Sequence, residues 1–372
     1  MNKTIQISRI DGFDRIDRDA WNQLIASSRT ATVFQTHEWH SAWWEVYGEE
    51  AEPLLLCATE GGALVGVAAL CLYRDPKGHA IVRFMGHRHS DYSDIICAAN
   101  RDDVRNALLS YLLAPQSSWN RMDLKNVPAD SPTLGQLEHL GAAVGRHSLV
   151  VKTIPCPTLL IRGHEEFFAR VRNKKSLRRH YNYFRKQPRY AAEHFRDAAQ
   201  ILPQLDAFFS QHIERWTDTT SPSLFNEEHN RRFYRAVVAA LDGTGWLRFT
   251  RLVADGQPIA FHLGFAGWGR FIWYKPTFDA ALARKSPGEA LLKELLELAA
   301  TEGHDEFDFT VGNEPFKYRF TNHTRYNVTV AGYTNRLHFE GQRAYVRAKG
   351  VLKRSSAGRA MLNVARSVIT GK

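Results

Sequence analysis

One short segment combines the residue types that a phosphate-binding helix start requires. It runs from Lys285 to Ala290 (KSPGEA) and precedes a leucine-rich stretch that predicts a long helix. Ser286 and Glu289 have the spacing of a capping box. Gly288 has no side chain to keep a phosphate from the helix amides, and Lys285 adds a cation. The cofactor contacts are therefore predicted at Lys285, Ser286, Gly288, Glu289 and Ala290; the alternative is a well-capped helix without a ligand.

A candidate base lies in a second segment, on a strand predicted from Glu306 to Val311. In Phe307-Asp308-Phe309 the two phenylalanines share one face of the strand, so Asp308 points to the other face. A carboxylate in that position can accept the proton that an amine or hydroxyl loses when it attacks a carbonyl carbon. The alternative is an ion pair of Asp308 with Lys317 or Arg319.

Three further residues are candidates for the same chemistry. His262 interrupts an apolar strand and is a second candidate base, although a neutral core histidine has the same pattern. Tyr274 and Lys275 end a predicted strand, where they are placed to orient an acceptor or a thioester; the alternatives are a core and a solvated position. Lys317 lies in a predicted loop, where functional residues concentrate, and its alternative is an ion pair with Glu314.

The order of these segments resembles that of the GNAT acyltransferases. That family carries Arg or Gln, two residues, Gly, one residue, and Gly or Ala where a strand leads into a helix, and Lys285–Ala290 fits with lysine as the departure. Together with Phe307–Phe320 (FDFTVGNEPFKYRF), the chain resembles the CelD-type (BioF2-like) acetyltransferases linked to cellulose and other exopolysaccharide production. The resemblance implies acetyl-CoA or a longer acyl-CoA as donor and a tandem fold, also found in Fem-type peptidyl transferases.

The elements that must position these residues occur twice along the chain. One hairpin is predicted at 53–73, with its turn at Glu60-Gly61-Gly62, and a second at 247–265, with its turn at Asp255-Gly256. In each half, helices precede the hairpin, and a strand, a helix and two further strands follow it. The expected fold is therefore α/β with a mixed sheet (α+β), present in two copies and followed by a basic helical C-terminal tail. The resemblance implies that the two copies are tandem GNAT (acyl-CoA N-acyltransferase) domains.

Three units are predicted from this order. Residues 1–156 form a degenerate first domain, because its matching helix begins at Ala99–Asp103 with two carboxylates and no glycine. Residues 157–336 carry the acyl-CoA site, and the boundary falls near Pro155 and Pro157 because proline interrupts regular ladders. Residues 337–372 form the tail.

Two basic segments carry the excess positive charge of the chain, whose net charge is +10. Residues 162–189 hold ten Lys or Arg and two acidic residues, and residues 336–372 hold nine and one. The apolar spacing in 164–187 also predicts an amphipathic helix. Segments 162–189 and 337–372 favour contact with an anionic membrane surface or a polysaccharide synthase, and solvated helix faces are the alternative.

The remaining composition bears on location and metals. The four cysteines have no metal-ligand spacing, so we expect reduced core residues and no metal site. The longest apolar run, Ala63–Tyr73, is too short to span a bilayer, and the N-terminus lacks the pattern of a secretory signal. We expect a cytoplasmic protein, peripheral at the inner membrane if its tail binds lipid.

These features predict an acyltransferase that moves an acyl group from acyl-CoA to an amine or hydroxyl of a saccharide, a polysaccharide precursor or an amino compound. Two alternatives stay open. A Fem-like transferase would take aminoacyl-tRNA as donor and contact the tRNA through 162–189; other nucleic acids are not expected. A non-catalytic accessory protein of an exopolysaccharide synthase would sit at the inner membrane through its basic tail.

Overall fold

The computed structural model describes residues 4–217, 219 and 221–354. The strands are β1 (Ile5–Ile10), β2 (Glu52–Glu60), β3 (Ala63–Arg74), β4 (Ala80–Phe84), β5 (Ile96–Cys97), β6 (Arg121–Pro128), β7 (His147–Leu160), β8 (Ala191–Phe195), β9 (Leu247–Ala254), β10 (Gln257–Gly267), β11 (Arg270–Phe278), β12 (Glu306–Asp308) and β13 (His323–Tyr333). The helices are α1 (Arg18–Ser27), α2 (His37–Tyr47), α3 (Asp102–Leu113), α4 (Pro132–Ala143), α5 (Glu165–Arg172), α6 (Lys175–Arg185), α7 (Ala198–Ile201), α8 (Leu205–Trp216), α9 (Glu228–Ala240), α10 (Pro287–Thr301) and α11 (Arg336–Arg354).

The strands of both halves form one 13-stranded mixed sheet in the described part of the chain. Its order is β1-β2-β3-β4-β6-β13-β7-β12-β11-β10-β9-β8, and β5 pairs with β3 off this path. Two neighbouring pairs are parallel, β4 with β6 and β11 with β12. A parallel pair needs a long crossover, and α3 or α10 lies in each of these two connections. The two halves therefore repeat one arrangement.

The last strand of each half pairs with the other half. β13 of the second half pairs with β6, and β7 of the first half pairs with β12. β7 and β13 also pair with each other, antiparallel. Pro155 and Pro157, where we expected a boundary, lie inside β7, so the view that they interrupt the ladder is wrong. The carbonyl oxygen of Pro155 accepts from Gly312 N at 2.9 Å, and that of Pro157 accepts from Phe309 N at 3.1 Å. Both prolines therefore face the segment after β12, and their missing N–H groups remove no bond between β7 and β13. The division into residues 1–156 and 157–336 stays a prediction.

Helices cover both faces of the sheet. On one face, a single aromatic-rich core under α1, α2, α8 and α9 joins the two halves, and Trp39 lies 5.2 Å from Phe233 and 6.0 Å from Tyr274 between ring centroids. The other face carries one core under α3 and α4 and another under α5, α6 and α10. Because the first core is shared, residues of the first half are held in a fixed position against the second half.

Several expectations about elements are settled by the structure. The predicted helix over 164–187 is two helices, α5 and α6, because Asn173 ends α5 with a side-chain bond to Ala169 O at 3.0 Å. The tail is helical over Arg336–Arg354, and the rest of the predicted tail, 355–372, lies outside the described residues. The four cysteines are free and buried, as expected. Among the described residues, no helix combines the length and the apolar content that crossing a bilayer requires.

Candidate functional site

A cleft opens where the parallel pair β11–β12 ends. The two strands pair from Arg270–Glu306 to Ile272–Asp308. Beyond this point β11 continues to Phe278, whereas the segment that follows β12 turns away at Thr310, whose φ is 57°. The divergence leaves a cavity of about 630 Å³ beside the start of α10. Ligands of open α/β sheets commonly bind outside the carboxyl ends of the strands, so this cavity is the leading candidate for a binding site.

Charged and aromatic side chains line this cavity. The cations are Arg215, Lys275, Lys317 and Arg319, the carboxylates are Asp91, Glu289 and Glu314, and the aromatic residues are Trp216, Trp273, Tyr274, Phe278, Phe309, Phe316 and Phe320. Glu289 pairs with Arg319 at 2.8 Å and Glu314 with Lys317 at 3.0 Å. Within the part of the chain that the structure describes, Asp91 is the lining carboxylate without an ion pair.

Asp91 reaches the cavity from the first half of the chain, on the loop between β4 and β5. Burial raises the pKa of its carboxyl group above the usual range, while the positive charge of Lys275, a hydrogen bond with the Thr310 side chain and the charge of Lys317 act in the opposite direction. A carboxylate with a raised pKa that faces a ligand cavity is suited to accept a proton near neutral pH. The sequence prediction did not include this residue.

Asp308, our first candidate base, lies behind the cavity wall. Its side chain is fully buried and accepts from Tyr92 Oη at 2.8 and 3.0 Å and from Thr310 N at 2.7 Å. Burial raises the pKa of Asp308, and the charge of Glu306 acts in the same direction. These bonds tie the residue after Asp91 to the turn after β12. The structure therefore places Asp308 where it positions the Asp91 loop and does not bring it to a substrate.

Two further predicted residues, Tyr274 and His262, lie on the neighbouring strands β11 and β10. Tyr274 Oη donates to His89 O and lies 2.8 Å from Tyr234 Oη, so this hydroxyl holds the Asp91 loop as well. His262 is fully buried, accepts from Tyr274 N at 3.3 Å and stacks on Trp273. Burial lowers the pKa of His262 to about 3. The core alternative describes His262, which does not line the cavity, whereas Tyr274 is one of the lining residues.

Two lysines lie on the cavity. Burial lowers the pKa of Lys275; the charge of Asp91 opposes this shift, and that of Lys317 adds to it. Lys317 is buried, and its Nζ donates to Val311 O at 2.9 Å. The loop favours glycine at 312, because its φ of 140° is one that residues with a side chain rarely adopt. A Cβ there would also lie 2.7 Å from Lys317 Nζ and displace it. Lys317 thus lines the cavity and also forms the ion pair with Glu314 that was its alternative; its role in a reaction stays a prediction.

The start of α10 forms another wall of the cavity. Ser286 has a φ of 56°, and in this left-handed conformation its side chain makes no capping bond, so the predicted capping box is absent. The carbonyl of Ser286 instead accepts from Glu289 N and Ala290 N at 3.1 and 3.4 Å. Ala290 is fully buried and packs in the core, so its small size serves packing rather than a ligand contact.

Gly288 supplies the free amide of this helix start. The preceding proline has no N–H and the next two amides bond to a carbonyl, so Gly288 N is the amide of this first turn without a partner in the described chain. Lys285 is exposed and outside the cavity lining, with its Nζ 4.8 Å from the ring centre of Tyr183 on α6. Arg319, which contacts Glu289, supplies the cation at the helix start instead.

Residues 171–318 match the family described as the acetyltransferase (GNAT) domain. This segment contains β11, α10 and β12, whose divergence forms the cavity. Asp91 and Arg319 lie outside it. No curated protein matches the chain.

The whole chain is similar in fold to solved structures with little sequence identity. FemX has a TM-score of 0.62 at 11% identity, covering 88% of this chain and 97% of that chain. L-PGS from Bacillus licheniformis has a TM-score of 0.55 at 11% identity, covering 89% and 96%. A conserved protein of unknown function from Bacteroides thetaiotaomicron has a TM-score of 0.56 at 14% identity, covering 89% and 100%. The expected fold class, a mixed α/β fold with two GNAT-type halves, is confirmed.

A basic surface adjoins the cavity. α6 packs along α10 through buried Leu177 and Phe184. Lys174 Nζ donates to Arg319 O at 2.8 Å, which places the beginning of α6 beside the start of α10. The solvent side of α6 and the residue after it carries Lys175, Arg178, Arg179, Arg185 and Lys186. A phosphorylated ligand that enters from this side meets positive charge before it reaches the cavity.

Proposed function

We propose that this protein transfers an acyl group from an acyl-CoA to an amine or hydroxyl of a saccharide, a polysaccharide precursor or an amino compound. The observation that carries the proposal is that one cavity is lined both by Gly288, at the start of α10, and by Asp91 and Lys275. A helix start with a free amide suits the diphosphate of a thioester carrier, and a carboxylate with a raised pKa suits an acceptor that must lose a proton. The GNAT match of residues 171–318 supports the same reaction class.

The proposed reaction assigns the proton transfers to two residues. Asp91 accepts the proton that the acceptor nitrogen or oxygen loses as it bonds to the thioester carbonyl carbon. The carbon–sulfur bond breaks, and Lys275 donates a proton to the departing thiolate. Asp91 and Lys275 then exchange protons with solvent, so the products are the acylated acceptor and the free thiol. Because Lys275 has a lowered pKa, it gives up its proton more readily than a solvated lysine.

The proposed donor fits the distribution of charge. An acyl-CoA carries a diphosphate and a further phosphate on its ribose, and these need cations outside as well as inside the cleft. Arg319 lies at the helix start, and the exposed lysines and arginines of α6 lie next to it. The longer alkyl part of the donor finds an aromatic lining that includes Phe278 and Phe309.

The acceptor class rests on two supports. The resemblance to CelD-type proteins favours a saccharide or a polysaccharide precursor. Phe316 also lines the cavity and is 37% exposed, so it offers a flat apolar face on which a sugar ring can stack. An amino acid or another amine is compatible with the same lining.

A second candidate donor is aminoacyl-tRNA, and the basic surface of α6 is the observation that favours it. This donor would use the same Asp91 and Lys275 but would bind mainly through phosphate contacts, so its affinity would fall steeply with salt.

A donor screen by thermal unfolding separates the two candidates. We expect acetyl-CoA or a longer acyl-CoA at about one hundred times its dissociation constant to stabilise the protein by about 2.7 kcal/mol. A bare nucleotide lacking the pantetheine and acyl groups is the control ligand and should give a smaller shift. Stabilisation by aminoacyl-tRNA with none by any acyl-CoA would replace the proposed donor with the second candidate.

A further inference from the structure

The helix α11 packs on the sheet with one narrow face. Phe339 stacks on His147 of β7 with ring centroids 5.0 Å apart. Val346, two turns later, is also half-buried. These two residues fix which side of α11 faces the protein and therefore which side faces outward.

The outward face of α11 is apolar, which is unusual for a helix on the protein surface. Leu337 is 81% exposed and Tyr345 58% exposed, and Ala344 and Ala348 are exposed beside them. At about 100° per residue, these four positions fall within an arc of about 100°, opposite Phe339 and Val346. A soluble helix of this kind normally turns its charged residues toward this side.

Basic residues flank the apolar face on both sides. Arg336 and Arg347 lie along one edge and Lys349 along the other, and all three are exposed. Glu340 is the single acidic residue from 336 to 372 and forms a weak pair with Arg343 at 3.4 Å. An apolar stripe between two rows of cations is the pattern of a helix that lies in the interface of an anionic bilayer.

We propose that α11 binds an anionic lipid surface, with Leu337 and Tyr345 inserted between the headgroups and the flanking cations on the lipid phosphates. Two other occupants are disfavoured by charge. A second copy of the chain would bring the same cations against themselves, and residues 355–372 carry Arg359, Arg366 and Lys372 but no acidic residue. The proposal is independent of the acyltransferase reaction, because α11 lies at the opposite ends of β7 and β13 from the cavity.

The test is co-sedimentation of the full chain with lipid vesicles. We expect binding to vesicles that contain phosphatidylglycerol, little binding to vesicles of phosphatidylcholine alone, and a decrease in binding as salt is raised. Light scattering without vesicles records the oligomeric state of the same samples.

Two double variants separate the contributions of the helix face and its edges. Leu337→Asp with Tyr345→Asp places charge in the apolar stripe, and Arg347→Glu with Lys349→Glu reverses one cation on each edge. We expect each to weaken vesicle binding about tenfold or more, since each cation near the surface is worth about 1 kcal/mol. All four side chains are exposed, so the melting temperature should stay close to that of the unaltered chain.

Tyr326→Asp is the matched control. Tyr326 is 50% exposed on β13, near the end of the strand that lies away from α11, and it undergoes the same chemical change as Tyr345. We expect this control to bind anionic vesicles as the unaltered chain does. Equal binding to both vesicle types, unaltered binding of both double variants, or a change of oligomeric state in place of vesicle binding would each overturn the proposal.

Discussion

At the scale of single residues, the site depends on a carboxylate that two other predicted residues hold in place. Asp91 lines the cavity, Asp308 binds the hydroxyl of the residue that follows it, and Tyr274 binds the carbonyl two residues before it. A first-half base that the second half holds in place loses little conformational entropy when a substrate binds, which favours reaction. The roles of Asp91 and Asp308 can be separated by isosteric changes.

Asp91→Asn removes the proposed base without changing the size of the side chain. We expect kcat to fall by about 10²- to 10⁴-fold, the range that a general base usually contributes, with little change in donor affinity. Asp308→Asn weakens the support of the loop, and we expect a smaller fall in kcat with acetyl-CoA binding retained. Equal activity of Asp91→Asn and the unaltered enzyme would remove Asp91 from the mechanism.

The pH dependence of kcat follows from the same two groups. Asp91 must be ionised and Lys275 protonated, so the rate should rise as Asp91 loses its proton and fall as Lys275 loses its own. Because burial raises the pKa of Asp91 and lowers that of Lys275, we expect the acidic limb above about pH 4 and the alkaline limb below about pH 10. Lys275→Arg should lower kcat and remove the alkaline limb, because a guanidinium keeps its proton, and a limb that stays in place would assign it to another group.

Sequence reasoning named several second-half residues that line the cavity, together with others that do not, and it missed Asp91. Gly288, Tyr274 and Lys317 are near elements with clear local patterns, and all three line the cavity. Asp91 lies in the polar segment HRHSDYSD, which carries no local motif, and it enters the site through tertiary packing. One signal was available. The segment follows β4, the first-half strand that corresponds to β11, and the cleft lies where β11 ends its pairing with β12.

At the scale of elements, the cleft is made by strand divergence and by two left-handed turns. Thr310 and Ser286 both adopt positive φ values without being glycine, one after β12 and one before α10. Such conformations cost about 1 to 2 kcal/mol each and are kept where the surrounding structure demands them. The sequence indicated a capped helix at Ser286, since capping residues are read from spacing, whereas the actual turn depends on how α10 meets β11.

Gly312→Ala tests the loop that carries Lys317. The φ of 140° strains any residue with a side chain, so we expect a loss of about 1 to 3 kcal/mol of stability. A Cβ would also lie 2.1 Å from Glu314 Oε2 and 2.7 Å from Lys317 Nζ, so we expect a displaced lysine and reduced activity. Gly303→Ala is the control, because its φ is also positive, at 72°, but nothing lies within 4 Å of a Cβ. The control should lose about 1 kcal/mol of stability and keep its activity.

At the scale of the whole molecule, one sheet and one shared core join the two halves. The two-halved order of elements was predicted from hairpin turns and helix periodicity, which are local signals. The pairing of β7 with β12 and of β13 with β6 was not predicted, because it depends on contacts between distant segments. Pro155 and Pro157 in β7 even suggested a boundary there. No local signal reveals that these residues face away from β13, where the absence of an N–H removes no ladder bond.

Acid should weaken this joined structure through its buried histidines. Burial lowers the pKa of His40 and of His262 to about 3, below the unfolded value of about 6.5. The unfolded chain therefore binds more protons, and stability that is complete above about pH 6.5 is lost as the pH falls toward 3. We expect urea unfolding between about pH 7 and 4 to lose up to about 1.4 kcal/mol per pH unit for each such histidine.

His262→Phe provides the check on this pH dependence. Removing one buried titrating ring should flatten the fall of unfolding free energy with acid, whereas the same change at exposed His323 should leave it unaltered. An identical slope in both variants would show that other groups govern acid unfolding.

The most direct test of the central claim is calorimetric titration of acetyl-CoA into three proteins. They are the unaltered chain, Gly288→Glu at the start of α10, and Asn100→Glu beside the start of α3, the matching helix of the first half. If the cleft beside α10 holds the diphosphate, the unaltered chain and Asn100→Glu bind equally and Gly288→Glu binds at least about tenfold more weakly. Unchanged binding by Gly288→Glu, or loss of binding in Asn100→Glu, would contradict the assignment of the donor site.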